Sequence, residues 1–535
     1  MGEFDPSSTT VAALVARAAA EFGDREGLVD AESGHRFTFA ELAEEVDRFA
    51  GALIASGIQS GEAVAVWVPN SWEWVVAALG TLRAGAVLVP VNTRFKGREA
   101  AYVLGKARVR ALVTARSFMG TDYVAELAAH SADLEDLTEV VAMRASSAPD
   151  ATGWDDFVAR ATPDTIAEVA DRTAAYAPDD TALIMFTSGT TGLPKGVMVA
   201  QGPMVRAFIP YADALGLGPG DRMMVMNPMF HAFGFNGAIV PCLRCGATIV
   251  AHAVFDVPVL LQTVQAERIT AWPGPPAVFQ GLLNYDGLGD YDIATLRSCV
   301  TGAASIPVEM VQGMRERLGF ETVVTAYGMT ETTGLATVCR PGDDDVTVAT
   351  TSGRPVGGTE VKIVDDEFNE LPPGEAGEIV VRGFQVMKGY LDDPDQTAEA
   401  ITPDGWLHTG DIGVQDERGY IDITDRKKDM YIIGGFNAYP AEIERTMIEH
   451  PQIGQAAVVG VPDERLGEVG AAFVVPAPGR PPSPAELIAW CREQMANYKV
   501  PRNLWVVDEL PLNPSNKVLK FELRERAQAL LEARD

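Results

Sequence analysis

Residues 187–196 read Thr-Ser-Gly-Thr-Thr-Gly-Leu-Pro-Lys-Gly, a run whose residue types suit one task, the cradling of an oligophosphate. Backbone N–H groups of a glycine-rich loop and the hydroxyls around Ser188 can wrap phosphate oxygens, and Lys195 adds a fixed positive charge. A Walker P-loop needs a Gly, four residues, and then Gly-Lys-Ser/Thr; counted from Gly189 or Gly192, the second Gly position falls on Pro194 or Val197. The spacing therefore disfavours a kinase or ATPase and leaves a nucleoside triphosphate held in another way. The apolar run Ala182–Phe186 just upstream reads as a buried strand, so the loop is expected at a strand end, where α/β proteins hold ligands.

A second group, Ala326-Tyr327-Gly328-Met329-Thr330-Glu331-Thr332, combines a ring that can cover a base, a hydroxyl for a phosphate oxygen and a carboxylate suited to Mg²⁺. Further downstream come Trp406-Leu407-His408-Thr409-Gly410-Asp411, Asp425-Arg426-Lys427-Lys428-Asp429, Gly434-Gly435-Phe436-Asn437-Ala438-Tyr439-Pro440 and Asn513-Pro514-Ser515-Asn516-Lys517. Each alone fits an ordinary feature: a turn, a solvated charged face, a hairpin, a surface lysine.

The elements that must position these groups alternate along the chain. Apolar residues at helical spacing mark Val11–Phe22, Ala40–Ile54 and Trp74–Leu82, and strand-like runs occur at Ala63–Val68 and Val87–Val91. The pattern recurs with strands at Met223–Met226, Ala247–Ala251 and Thr322–Thr325, which implies α/β architecture with helix-covered parallel sheets. From about residue 350, short strands such as Val361–Val364 and Glu378–Val381 are punctuated by Gly and Pro, the texture of a small β-rich unit. Helices at Ala441–Glu449 and Pro484–Met495 and a strand at Ala456–Val459 then return the chain to α+β texture.

At 535 residues the chain exceeds what one core supports, so more than one domain is expected. A net charge of −31 argues against nucleic acid and against anionic lipid as partners, and requires an anionic ligand to be met by local Lys or Arg. The first residues lack a basic segment followed by an apolar core, and Arg83 and Arg244 interrupt the best apolar stretches. The expectation is a cytoplasmic protein without stable membrane insertion. Five cysteines suit a reducing compartment; Cys242 and Cys245 form a C-x-x-C, but without a second pair or a His at ligand spacing they read as core residues.

In order and spacing, the five blocks together resemble the adenylate-forming superfamily of acyl-CoA and aryl-CoA synthetases, peptide-synthetase adenylation domains and firefly luciferase, over essentially the whole chain. The resemblance implies a large N-terminal adenylation domain over 1–426, with a β-barrel-like subdomain at about 345–425, a hinge at 427–428 centred on Lys428, and a mobile C-terminal domain over 429–535. It implies that Thr187, Ser188, Gly189, Thr190, Thr191, Gly192 and Lys195 grip the triphosphate, that Tyr327 lies against adenine with Gly328 and Met329 beside it, and that Thr330 touches the α-phosphate. Ala303 and Ala304 would also line the ATP site, Thr187 and Glu331 would hold Mg²⁺, and Asp411 with Arg426 would bind the ribose. Lys517 matches the lysine that bridges the substrate carboxylate and the α-phosphate, with Thr190, Lys195 and Glu331 completing the catalytic groups. That role suits the chemistry, because attack of a carboxylate on phosphorus builds negative charge that positioned cations stabilise. The family usually has Gly before this lysine; Asn516 stands here, a residue that tolerates the left-handed conformation.

For the second half-reaction the resemblance implies that the C-terminal domain swings, bringing Gly434, Gly435 and Phe436 beside a coenzyme A channel that His231 gates. The acid pocket maps to Asn227–Phe235, with His231 and Phe235, and to Trp272, Gly274 and Gly302–Ser305. No acidic residue stands in the first block to pair with an amino acid's ammonium, so an apolar carboxylic acid is expected, converted to its CoA thioester with release of AMP and pyrophosphate. Details around Phe230–Phe235, Pro273–Pro276, Cys339–Pro341 and Gly435–Asn437 resemble actinobacterial synthetases acting on ring-propanoate fragments of steroids. A medium- or long-chain fatty acyl-CoA synthetase and a fatty acyl-AMP ligase that loads a carrier protein are the alternatives. The reading leaves a homodimer open.

Overall fold

The computed structural model describes residues 4–533 except 131–133, 148, 188–193, 303–305, 427–428, 434–435, 464–465, 480–481, 496 and 513–516, with backbone alone at 425–426, 432, 436–437, 442 and 467. Two large sheets dominate. In the nine-stranded sheet, Thr322–Tyr327, Ser298–Gly302, Ala271–Pro273, Arg222–Val225, Thr248–Ala251 and Glu26–Asp30 lie side by side in parallel, with antiparallel strands at both edges. The eight-stranded sheet has its own parallel series, Thr181–Thr187, Val87–Pro90, Ala63–Trp67, Val109–Ala115, Glu139–Met143 and Thr152–Gly153. Parallel strands are buried on both faces, which is why they read as continuous apolar runs; Ala63–Trp67 is buried at every position.

Helices fill the space between the sheets. Val11–Phe22 starts where Thr10 accepts from the Ala13 amide, and Phe39–Ala55 starts at a capping box of Thr38 and Glu41. Trp72–Arg83 is buried from Glu73 to Arg83, as expected of a helix enclosed on all sides. Its two buried charges are paired, Arg83 with Asp47 at 2.7 Å and Glu73 with Arg144 at 2.9 Å, which offsets the cost of removing them from water. The apolar residues of these helices merge with residues of both sheets into one core that runs from Val11 to Tyr420, while alternate residues of the nine-stranded sheet, among them Val29, Met224, Val250 and Trp272, form a second cluster with Phe279.

The β-rich unit is a four-stranded antiparallel sheet, Thr359–Val364, Ala376–Gly383, Leu407–Gln415 and Ile421–Arg426, whose outer strands do not pair with each other among the described residues. A five-stranded sheet follows, with helices Pro440–Ile448, Pro484–Gln494 and Lys520–Glu532, and its core of residues from Tyr431 to Ala527 is separate from the first. The C-x-x-C cysteines sit on the helix Val240–Cys245, both buried, with Cys242 Sγ 3.8 Å from Met223 Sδ; burial pushes the Cys242 thiol well above its usual range. Among the described residues no helix is long and apolar enough to cross a membrane.

Candidate active site

The parallel strands of the nine-stranded sheet end along one edge, and the sequence blocks follow those ends. Residues 328–332 leave Thr322–Tyr327, Gly274 leaves Ala271–Pro273, and the segment beginning at Asn227 leaves Arg222–Val225. Groups separated by about a hundred residues of chain thus stand at the ends of strands of one sheet, the arrangement by which α/β sheets gather a ligand site.

At one end, Tyr327 closes its strand and its hydroxyl donates to Asp411 Oδ2 at 2.6 Å. Asp411 also pairs across the β-rich sheet with Arg426, so three of the expected nucleotide residues meet, although the Arg426 side chain lies outside the described residues. Gly328 cannot carry a side chain: a Cβ there would stand 2.4 Å from the Gly334 carbonyl oxygen. Met329 is half-buried, and Thr330 and Glu331 are buried in the short turn that follows. Gly302 is equally restricted, since a Cβ would lie 2.7 Å from the Ala326 oxygen. Ala303 and Ala304 lie outside the described residues.

The phosphate-loop candidates hang from a strand end as expected, but the chain returns as an antiparallel strand, with Thr187 opposite Lys195. The strand Lys195–Ala200 that carries the chain back presents no helix N-terminus at this end. Ser188, Gly189, Thr190, Thr191 and Gly192 are outside the described residues. Lys195 Nζ stands 4.9 Å over the Tyr390 ring, and the Tyr390 hydroxyl donates to Glu331 Oε1 at 3.1 Å. Burial, and then the Glu331 charge, push the Tyr390 hydroxyl far above its ordinary pKa, so it remains a donor. The Met387 amide bonds the Glu331 carbonyl at 2.8 Å, tying that turn to the segment that carries Tyr390. Tyr390 carries no motif of its own and escapes sequence reasoning; only the pairing of Gly389–Tyr390 with Lys195–Ala200 brings it here.

At the other end, His231 caps a short turn and its Nδ1 accepts from the Phe233 amide at 3.3 Å. The residue is exposed to solvent yet crowded by protein, and this crowding, followed by the positive charge of Lys517, lowers its pKa to about 4. Lys517, itself exposed, lies in the C-terminal unit near enough to His231 for its charge to be felt there. Phe235 and Trp272 are fully buried, Phe235 edge-on to Trp74 at 5.4 Å and Trp272 against Phe279 at 6.1 Å. Both rings pack in the interior, where large aromatic side chains gain most from burial. Phe235 begins a π-helical turn, Phe235–Ile239, a distortion that recurs at functional sites. Gly274 is buried beside Phe279 and Trp272. In the C-terminal unit, Ile433 pairs with Phe436, while Gly434, Gly435 and Lys428 lie outside the described residues.

The sequence matches the AMP-binding enzyme family over residues 15–391 and the AMP-binding enzyme C-terminal domain over 442–517. It is 47% identical over 97% of its length, and 98% of the relative's, to a Rhodococcus jostii 3-[(3aS,4S,7aS)-7a-methyl-1,5-dioxo-octahydro-1H-inden-4-yl]propanoyl:CoA ligase. A Mycobacterium tuberculosis enzyme of the same name is 46% identical over 96% of this chain and 98% of that one. Among solved structures, the anthranilate CoA ligase AuaEII in complex with anthranoyl-AMP superposes with a TM-score of 0.89 at 27% identity, covering 99% of both chains. The chain belongs to the AMP-binding enzymes of the adenylate-forming superfamily, and within them to the acyl-CoA synthetases.

Proposed function

We propose that this enzyme activates a steroid-derived propanoate carrying a fused bicyclic ring, forming its adenylate and then its coenzyme A thioester in the cytoplasm. The observation that carries this reading is similarity over the whole chain to two ligases named for that acid. The absence of an acidic residue from Asn227 to Phe235 suits an apolar acid and gives an ammonium-bearing one no partner in that segment.

The residues divide the work. Tyr327 and Asp411 hold adenosine, with Asp411 accepting from the ribose hydroxyls and Arg426 assisting, and loop residues 187–192 with Lys195 hold the β- and γ-phosphates. A carboxylate oxygen of the acid attacks the α-phosphorus while its bond to the bridging oxygen breaks and pyrophosphate leaves. No base is required, since the acid is already ionised. Lys517 neutralises the charge that builds between carboxylate and α-phosphate. The Glu331 carboxylate and Thr187 hydroxyl are hard oxygen donors of the kind Mg²⁺ takes beside phosphate oxygens, and no all-protein cage of three or more acidic, His or Cys groups exists among the described residues. Mg²⁺ bound there would supply charge neutralisation on the phosphates. Rotation about residues 427–428 then withdraws Lys517 and presents the segment from Gly434 to Phe436 to the thiol.

The test is AMP release and adenylate mass for a panel of acids with ATP, Mg²⁺ and coenzyme A. The bicyclic dioxo propanoate should exceed straight-chain acids of equal carbon number by about tenfold or more in kcat/KM. A straight-chain acid that far outperforms it would overturn the substrate assignment.

A further inference from the structure

Asn70 lies in the connection between the strand Ala63–Trp67 and the buried helix Trp72–Arg83, within the eight-stranded sheet's half of the protein, and is 9% exposed. Its side chain crosses to the other sheet. Nδ2 donates to the carbonyls of Asn227 at 2.9 Å, His252 at 3.1 Å and Val225 at 3.2 Å, and Oδ1 accepts from the Met229 amide at 2.8 Å. Two N–H protons serve three carbonyls, so one bond is shared. Val225 ends its strand and His252 follows the neighbouring strand Thr248–Ala251, so one carboxamide ties two strand ends to the start of the segment that carries His231.

The segment is then constrained along its length. Asn227 Nδ2 donates to the Pro273 carbonyl at 3.0 Å, joining it to the next strand end, and Met229 is fully buried. The His231 amide bonds the Pro228 carbonyl at 3.0 Å, and a Cβ on Gly234 would fall 2.1 Å from that same oxygen. Only a carboxamide of this length offers donors to three carbonyls and an acceptor to one amide. An aspartate would turn lone pairs toward the carbonyls, and an alanine would leave backbone groups buried without this partner.

We propose that Asn70 is a positioning residue for the acid end of the site, holding residues 227–231 so that His231 stands where the acid and Lys517 meet; this rests on the reading of Asn227–Phe235 as the acid pocket. A misplacement of about 1 Å in such a wall costs on the order of 10²-fold in rate. The experiment compares full-length Asn70→Asp and Asn70→Ala with wild type, using whichever acid wild type turns over best, so that a wrong substrate assignment does not void it. The readouts are KM for the acid, Kd for ATP measured without acid, melting temperature, and the titration midpoint of His231 by NMR. The expected result is an acid KM raised about tenfold or more and a displaced His231 midpoint, with ATP Kd within about twofold of wild type. If neither variant folds, Asn70→Ser, which keeps a donor and an acceptor, is read by the same criteria. Arg144→Ala is the structural control: it breaks ion pairs to Asp30 at 2.7 Å and Glu73 at 2.9 Å beside the same connection, and should lower the melting temperature without separating acid from ATP affinity. An unchanged acid KM, or acid and ATP affinities that fall together as in the control, would overturn the proposal.

Discussion

Tyr327, Glu331 and Asp411 are 8%, 7% and 5% exposed and locked by hydroxyl-to-carboxylate hydrogen bonds, with Tyr327 packed against Val361, Ile379 and Ile421 of the β-rich sheet. Lys517 is exposed and rides on a unit with its own core, joined to the rest in part by the half-exposed Arg445–Asp422 pair at 2.8 Å. The first region is pre-organised, since its groups are desolvated and aligned before any ligand arrives. The second is exposed to solvent, and the ion pair at its joint is of the partly exposed kind that contributes little. On the proposed roles, the contrast teaches that nucleotide binding and stabilisation of the reacting charge are separable, because different units carry them.

Five variants or measurements bear on that separation. Lys517→Ala should lower adenylate formation about 10²- to 10³-fold with ATP affinity nearly unchanged, read by single-turnover AMP formation and calorimetry; full activity would reject the mechanism. Asp411→Asn should instead weaken ATP binding about tenfold to a hundredfold, since a charged hydrogen-bond acceptor is lost. If it slows chemistry while ATP affinity stays intact, the comparison fails. Tyr390→Phe removes one donor to Glu331 and should cost no more than about tenfold, expressed as a higher Mg²⁺ requirement. The titration of His231 offers a milder probe. Held at about 4 against about 6.5 in the unfolded chain, it remains neutral in the folded state while the unfolded chain takes up protons, so its contribution to stability is intact above pH 6.5 and is lost as pH falls toward 4. Lys517→Ala should raise its midpoint part of the way, because crowding by the surrounding protein, the larger cause, stays in place; an unmoved NMR midpoint would remove Lys517 from the neighbourhood of His231. Arg445→Ala should be smallest, about 0–1 kcal/mol in denaturant unfolding, while shifting the balance between the two half-reactions.

Several elements are legible in the amino-acid pattern alone. Val11–Phe22 matches its apolar spacing residue for residue, and Trp72–Arg83 begins two residues before the predicted Trp74 because Ser71 caps it by accepting from the Trp74 amide. Tyr327, Glu331 and Asp411 announce themselves by motif. Tyr390 and Asn70 do not, since each acts through a partner far along the chain, Glu331 for one and the carbonyls of Val225, Asn227 and His252 for the other. Phe235 and Trp272 are legible as aromatic, but their ring partners Trp74 and Phe279 are not.

By itself the sequence determined the class of chemistry, because phosphate cradling, charge neutralisation and carboxylate activation demand particular residue types in local runs. Periodicity likewise determined which segments became helix and strand. Tertiary structure alone decided strand order, the antiparallel return after Thr187, the meeting of Tyr327 with Asp411, and the reach of Lys517 to His231. These are contacts between distant segments, and burial of a shared core, rather than any local preference, selects them.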